Sequence, residues 1–451
     1  MTITITKYPA KENLAKVAKN LGLDEGILFL KGDIIKERHD TDVELEFRQE
    51  SNFYYITGYN EPNAHVMYDL KTRKLTLIVY AMPEDNIAWL GTPLTESELL
   101  VQYDVDEIRS SSDLVKVLNG SNVSTLHTLR REDVPAGVHL TIDTTRLADA
   151  LVNARMYKSA YEIEHMRKIN HISSNAHIEC MKRAKHCKNE TELEAIFRYE
   201  TWRFGARFQA YTPIVAAGTA AATLHYTRNN RPFAKDRGQL CLLDCGAELD
   251  CYASDITRTI PLSGKFEGDA RMLYEIVLDM TNQCLAAVKP GVEWEDIHRL
   301  SLRVGAEGLQ RAGVLKQEYS VEEMTRHHVP NLFFHCGVGH MMGLDVHDVG
   351  GYPAGVERLQ EPGIRYLRMR RPLEVGFVVT VEPGIYFTEF LLREAKKKPE
   401  LAKYIDWDVL ESRFQPLGGV RIEDCVVVTE TGHDNLTTVP KEIAEIEALM
   451  A

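Results

Sequence analysis

At 451 residues and a net charge of −13, the chain is long enough for two or three domains, and it has no Lys/Arg run that would track a phosphate backbone. Nucleic acid is therefore not an expected partner. The amino terminus, MTITITKYPAKEN, lacks an apolar stretch behind a basic start, and no later segment runs to about eighteen apolar residues, so neither an export signal nor a membrane span is expected. Eight cysteines (Cys180, Cys187, Cys241, Cys245, Cys251, Cys284, Cys336 and Cys425) without any CxxC spacing read as packed thiols of a reducing compartment, the cytoplasm, in preference to a zinc cluster.

The first third, 1–155, reads as an α/β domain. Residues 12–21 have helical periodicity, and ILFLKG (27–32), FYYITGY (53–59), HVMYDL (65–70) and KLTLIVY (74–80) read as strands. Short helices near Glu96–Gln102 and Asp113–Leu118 separate two further candidate strands, STLHTL (124–129) and VHLTID (138–143). No convergent acid, base and nucleophile stand out here. Trp89, in IAWLG, is either a packed core residue or an exposed one that marks an interface.

A boundary near Asn153–Lys158 opens a second domain, 156–451, of α+β type, with helices outside and a strongly bent sheet inside. Charged amphipathic helices are predicted over 160–186 and 190–203, the second with Thr191 and Glu194 spaced as a capping box. Others follow near 267–288, stopped by Pro290-Gly291, and over about 293–312.

Between them lies LCLLDCGAELDCYASDITRT (240–259), two apolar strands around a polar tip at Leu249 and Asp250. A fold at that tip places Asp244 opposite Asp255. Two buried carboxylates about 5 Å apart need a counter-charge, and a divalent cation supplies it; a solvated acidic hairpin is the alternative.

Three later segments add candidates. FFHCGVGHMMGLDVHDVG (333–350) gathers His335, His340 and His347 among glycines; FVVTVEPGIYF (377–387) ends an apolar strand on Glu382. In GGVRIEDCVVV (418–428), alternation places Arg421 and Glu423 on one face and Asp424 on the other, so only one of the two acids can face the interior beside Arg421. Asp244, Asp255, His340, Glu382 and Glu423 make an oxygen-rich set that suits harder dications, manganese first, with cobalt or zinc as substitutes. Four carboxylates are balanced by two dications, and such pairs, roughly 3.5–4 Å apart, activate water and clamp a carbonyl.

LLDCG, YASDITRT, GVGHMMGLDVHDVGG, VVTVEPGIYF and GGVRIED resemble, in order and spacing, the creatinase/aminopeptidase family, whose second domain is the pita-bread fold. Within it the chain looks most like the eukaryotic prolidases and the related Xaa-Pro aminopeptidases. FRQESNFYYITGYNEP (47–62) is similar to the family's amino-terminal domain. The resemblance implies that Asp244 and Asp255 bind one ion, that Asp255 bridges, that His340 and Glu382 complete the second ion's set of ligands, and that Glu423 is shared. It implies a water between the ions attacking the carbonyl before proline, with Glu382 as proton shuttle. It places His225 and His347 in the substrate pocket and Arg421 beside the metals, and it implies a homodimer with Trp89 near the partner's site.

Arg368 falls where prolidases clamp the free carboxylate of a dipeptide, so an Xaa-Pro dipeptidase is the first expectation. An Xaa-Pro aminopeptidase acting on longer peptides is the alternative, and a pita-bread binding module without catalysis the third. One departure bears on activity. Where prolidases read HGxGH this chain has CGVGH, so Cys336 replaces a histidine, and His335 stands one residue earlier.

Overall fold

The computed structural model describes residues 7–234 and 238–451. Residues 1–6, the start of the segment read as lacking an export signal, lie outside them. The chain divides into two compact units, Met1–Arg155 and Met156–Ala451. Among the described residues no helix is long and apolar enough to cross a membrane.

The first unit is built on six strands: β1 (Ile27–Lys31), β2 (His65–Asp69), β3 (Lys74–Val79), β4 (Glu107–Ser110), β5 (Thr125–His127) and β6 (Thr141–Asp143). They lie in the order β4-β3-β2-β1-β5-β6; β1, β2 and β3 run antiparallel, while β4, β5 and β6 join in parallel. One expectation fails here: FYYITGY is a helix, Ser51–Thr57, with no strand in it. Phe53, Tyr54, Tyr55, Ile56 and Thr57 are all buried, and an unbroken apolar run reads the same in a buried helix as in a buried strand. Its ends are well marked, by the Glu50 side chain accepting from Phe53 N and by Gly58 at φ 65°. A Cβ on Gly58 would stand 2.6 Å from the Tyr8 ring, so the stop requires glycine. Trp89 sits on the short helix Ile87–Leu90 and is 86% exposed, which removes the packed-core reading.

In the second unit the strands are β7 (Phe208–Gln209), β8 (Ile214–Ala217), β9 (Leu240–Asp244), β10 (Ala247–Leu249), β11 (Tyr252–Ala253), β12 (Thr257–Pro261), β13 (Val378–Val381), β14 (Gly384–Tyr386), β15 (Gly419–Arg421), β16 (Asp424–Val428) and β17 (His433–Asn435). They form short sheets, β12-β9-β8, β11-β10-β7, β13-β16-β17 and β14-β15, stitched by single bridges from Thr257 to Glu423 and from Met341 to Val379. Helices Ala160–Arg183, Glu190–Trp202, Gly268–Ala287 and Trp294–Arg311 complete the unit. The first starts at a capping box of Ser159 and Glu162. The second is capped by Asn189, whose side chain accepts from Glu192 N, and Thr191 instead donates to Asn229 O. The predicted cap was two residues late, because an Asn satisfies the same orphan N–H group that a Thr would.

The central hairpin also turns later than expected. Asp250 and Cys251, at φ 46° and 63°, form the tip, so Leu249 faces Tyr252, Glu248 faces Ala253 and Asp244 faces Thr257. Two successive positive φ values are what a two-residue hairpin loop demands; Asp adopts them readily and Cys gives no such signal. The slip is by two residues, which preserves the face of every side chain; one residue would have inverted them all.

Candidate metal centre

Asp244 closes β9, Asp255 stands two residues before β12, Glu382 follows β13, and Glu423 fills the break between β15 and β16. Ligand atoms of Asp255, His340 and Glu423, all buried, lie within 4.8 Å of one another. His340 Nε2 is 3.3 Å from Asp255 Oδ2 and 3.5 Å from Glu382 Oε1. Its other nitrogen, Nδ1, is 2.9 Å from Met341 O, and a carbonyl can only accept. Nδ1 therefore carries a proton, which leaves Nε2, the nitrogen facing the acidic cluster, as the one that would ligate a metal ion.

The backbone that delivers His340 leaves no room for side chains beside it. A Cβ on Gly339 would stand 2.1 Å from Thr380 O and 2.8 Å from the ring of Trp294, which is fully buried and donates from Nε1 to Gly339 O. His340 N in turn donates to Thr380 Oγ1 at 3.1 Å, and Glu382 N to Val338 O at 2.9 Å. Segment and strand are thus locked in register, bringing the histidine and the glutamate to one place.

Asp244 is held differently. Tyr211 Oη donates to its Oδ1 at 2.6 Å and Arg421 Nη2 to its Oδ2 at 2.5 Å. Arg421 also donates to Tyr386 Oη and Thr257 Oγ1, and Thr257 donates to Glu423 Oε2 at 2.6 Å. The charge excess shows in the titration of the acids. Burial first, then the neighbouring carboxylates, push Glu423 well above the ordinary range, and Asp244 upward as well despite Arg421. Burial raises Glu382 to about 7, against the pull of His340. For His340 burial works against the charge, but the bond to Asp255 and the Glu382 charge outweigh it. Four carboxylates beside one guanidinium lack cations, and an oxygen-rich set with a correctly oriented imidazole fits divalent ions.

These residues face a cavity of about 850 Å³, which His225, His335, Cys336, His347, Arg368 and Arg421 also line. The His347 ring packs edge-on against His340 at 4.4 Å, and burial with the His340 and Arg368 charges lowers its pKa to about 3. It stays neutral at physiological pH. Burial drives the Cys336 thiol up to about 12, so it is no thiolate. His335 lies against Tyr386, its buried Nδ1 without a hydrogen-bond partner among the described residues.

Four supporting residues escaped the sequence reading: Tyr211, Thr257, Tyr386 and Arg258. Thr257 could have been found, since alternation from Asp255 places it on the same face. Arg258 could not. It pairs with Asp424 at 2.6 Å, with Lys441 on the same carboxylate, so Asp424 is buried as fully as Glu423 but with its own cations. Both acids are interior, and Glu423 is the one on the Arg421 side.

Residues 164–430 match the description of metallopeptidase family M24, and residues 10–127 that of the aminopeptidase P N-terminal domain. The chain belongs to metallopeptidase family M24. Among M24 proteins it is 42% identical over 459 residues to the probable Xaa-Pro aminopeptidase pepP of Botryotinia fuckeliana, covering 100% of this chain and 98% of that one. Aminopeptidase P from Escherichia coli with the inhibitor Pro-Leu superposes with a TM-score of 0.80 at 28% identity, and Pseudomonas aeruginosa aminopeptidase PepP with 0.80 at 31%, each covering 99% of both chains. The M24 fold is therefore that of aminopeptidase P, an N-terminal domain followed by a pita-bread domain.

Proposed function

We propose that this M24 metallopeptidase is an Xaa-Pro aminopeptidase, removing the first residue of peptides whose second residue is proline, with Asp244, Asp255, His340, Glu382 and Glu423 holding two divalent ions, manganese first. The observation that carries the reading is the convergence of Asp255, His340 and Glu423 on one wall of a cavity of about 850 Å³. Ligand pockets span roughly 300–1,000 Å³, so this one has room for more than a dipeptide. The names of its relatives point the same way, and the dipeptidase expected from Arg368 yields to this alternative.

Bound at this centre, the ions would serve as Lewis acids, acidifying water and polarising the scissile carbonyl. The chain supplies the rest. Glu382, 3.5 Å from His340 Nε2 just past the end of β13, takes a proton from the attacking water and returns it to the departing proline nitrogen. His347, neutral at physiological pH, and His225 offer N–H groups to the peptide carbonyl, and His335, one residue before the place where prolidases carry a histidine, has a buried nitrogen without a hydrogen-bond partner among the described residues. Arg421 donates to Asp244 and holds its carboxylate in place.

Release of arginine from Arg-Pro-Pro by the manganese-loaded protein, compared with proline release from Ala-Pro, tests the assignment. Preference for Ala-Pro would restore the dipeptidase, and turnover of neither would leave a binding module. The protein acts as a homodimer in the cytoplasm in this reading, Trp89 contributing to the contact; a monomer on sizing, with Trp89→Ala fully active, would refute that part.

A further inference from the structure

The segment after His347 carries five arginines, and they divide into two kinds. Arg371 pairs with Glu374 at 3.3 Å and lies over Phe377, while Arg370 faces Glu295 at 3.8 Å. Arg358, Arg365 and Arg368 line the cavity of the metal centre and are exposed there, and none has a carboxylate partner among the described residues. Two of the nearby acids, Glu361 and Glu295, both go to Arg299. The carboxylates lining the same cavity, Asp244, Asp255, Glu382 and Glu423, are those of the metal centre.

Two of the three guanidinium groups are held in place. Arg358 stacks over Tyr352 at 4.9 Å and donates from Nη1 to Leu367 O at 2.6 Å, with Tyr352 Oη donating to that same carbonyl at 2.7 Å. Arg365 lies over the ring of Tyr366 at 4.6 Å. Stacking fixes a guanidinium plane without consuming the N–H groups at its edge, which remain available to a planar anion. In a chain of net charge −13, three uncompensated cations at the mouth of one cavity set up a local field opposite to that of the rest of the molecule.

We infer that Arg358 and Arg365, beside Arg368, form a carboxylate subsite that selects peptides bearing negative charge on the carboxyl side of the proline. The inference rests on the aminopeptidase reading and adds the substrate class: short peptides whose C-terminal carboxylate reaches the rim, or longer ones with Asp or Glu after the proline. The ligand chemistry is the same for both sources.

Three peptides separate them: Ala-Pro-Ala with a free C-terminus, Ala-Pro-Glu-amide with only a side-chain carboxylate, and Ala-Pro-Ala-amide with neither. The two anionic peptides are expected to exceed the neutral one in kcat/KM by about fivefold per engaged arginine, the upper end for an exposed ion pair. Most of that advantage is lost when salt shortens the Debye length from about 30 Å at 0.01 M to about 8 Å at 0.15 M. Arg365→Gln removes charge without breaking a backbone contact and should shrink the ratio; Arg358→Lys, which keeps charge but not the planar fork, should fall between. Equal kcat/KM for all three peptides, or an unchanged ratio in Arg365→Gln, overturns the inference while leaving the aminopeptidase intact. Should no peptide be cleaved, calorimetric titration with Ala-Pro-Glu decides without turnover: equal affinity of wild type and Arg365→Gln refutes the subsite, and weaker binding by the variant upholds it.

Discussion

Arg421 donates to Asp244 across the junction of β15 and β9, with 4% of the arginine and 9% of the aspartate exposed. The pair couples the half of the pita-bread unit that carries Glu423 to the half that carries Asp244. Replacing Arg421 by Met would leave Asp244 buried without its cation, a change that costs about 3–5 kcal/mol when one partner of a buried pair is removed. The loss should be read by denaturant unfolding of the metal-free protein, and added manganese should recover part of it by supplying positive charge. Arg421→Lys is expected to lie between, since a single ammonium cannot reach Asp244, Tyr386 and Thr257 together.

Metal removal should act on stability as well as on activity. Raised carboxyl pKa values mean that the folded, metal-free protein holds protons that the unfolded chain releases. For Glu382 the folded value is about 7 against an ordinary 4.5. In that window the native state binds more protons, so stability falls as pH rises through it. The chelated protein is therefore expected to melt lower at pH 8 than at pH 5.5, and manganese should raise the melting temperature more at the higher pH. A pH-independent effect of chelation would show that the acids do not share one cationic site.

Glu382→Gln keeps the size of the side chain and the acceptor toward Thr380 Oγ1 but cannot carry a proton between water and nitrogen. Positioned acid–base groups contribute typically 10²–10⁴-fold, and a loss of that order in kcat with little change in KM is the expected outcome. Asp255, His340 and Glu423 remain to hold metal, so manganese content should fall only in part. Unaltered kcat would remove Glu382 from the chemistry.

Much of this was legible in the sequence, and what was not has identifiable causes. The acids and the histidine of the centre sit at strand ends or among glycines, where an apolar run terminates on a charge, and that contrast shows in a single sequence. The hairpin register was missed by two residues because its tip depends on a cysteine at φ 63°, which no propensity anticipates. The face assignment survived because side chains repeat every second residue. FYYITGY misled because burial on all sides erases periodicity. Pairings across long separations, such as Arg421 with Asp244 or Arg258 with Asp424, leave no local trace at all.

A last pairing of this kind is Lys158 with Asp348, 2.8 Å apart with 1% of each side chain exposed. Asp348 follows His347, and the segment is drawn in so closely that a Cβ on Gly343 would stand 2.3 Å from Asp348 Oδ2 and 2.9 Å from Lys158 Cε. The carboxylate thus anchors the loop that carries His347 to residues preceding the helix Ala160–Arg183. Lys158→Met should destabilise by about 3–5 kcal/mol, while the double variant Lys158→Met/Asp348→Leu should recover most of it, because apolar pairs of similar volume often replace buried ion pairs at no net cost. Activity should part company with stability. If the pair sets the position of His347, the double variant will fold well yet cleave Arg-Pro-Pro poorly; a double variant with wild-type kcat/KM would confine the pair to a structural role.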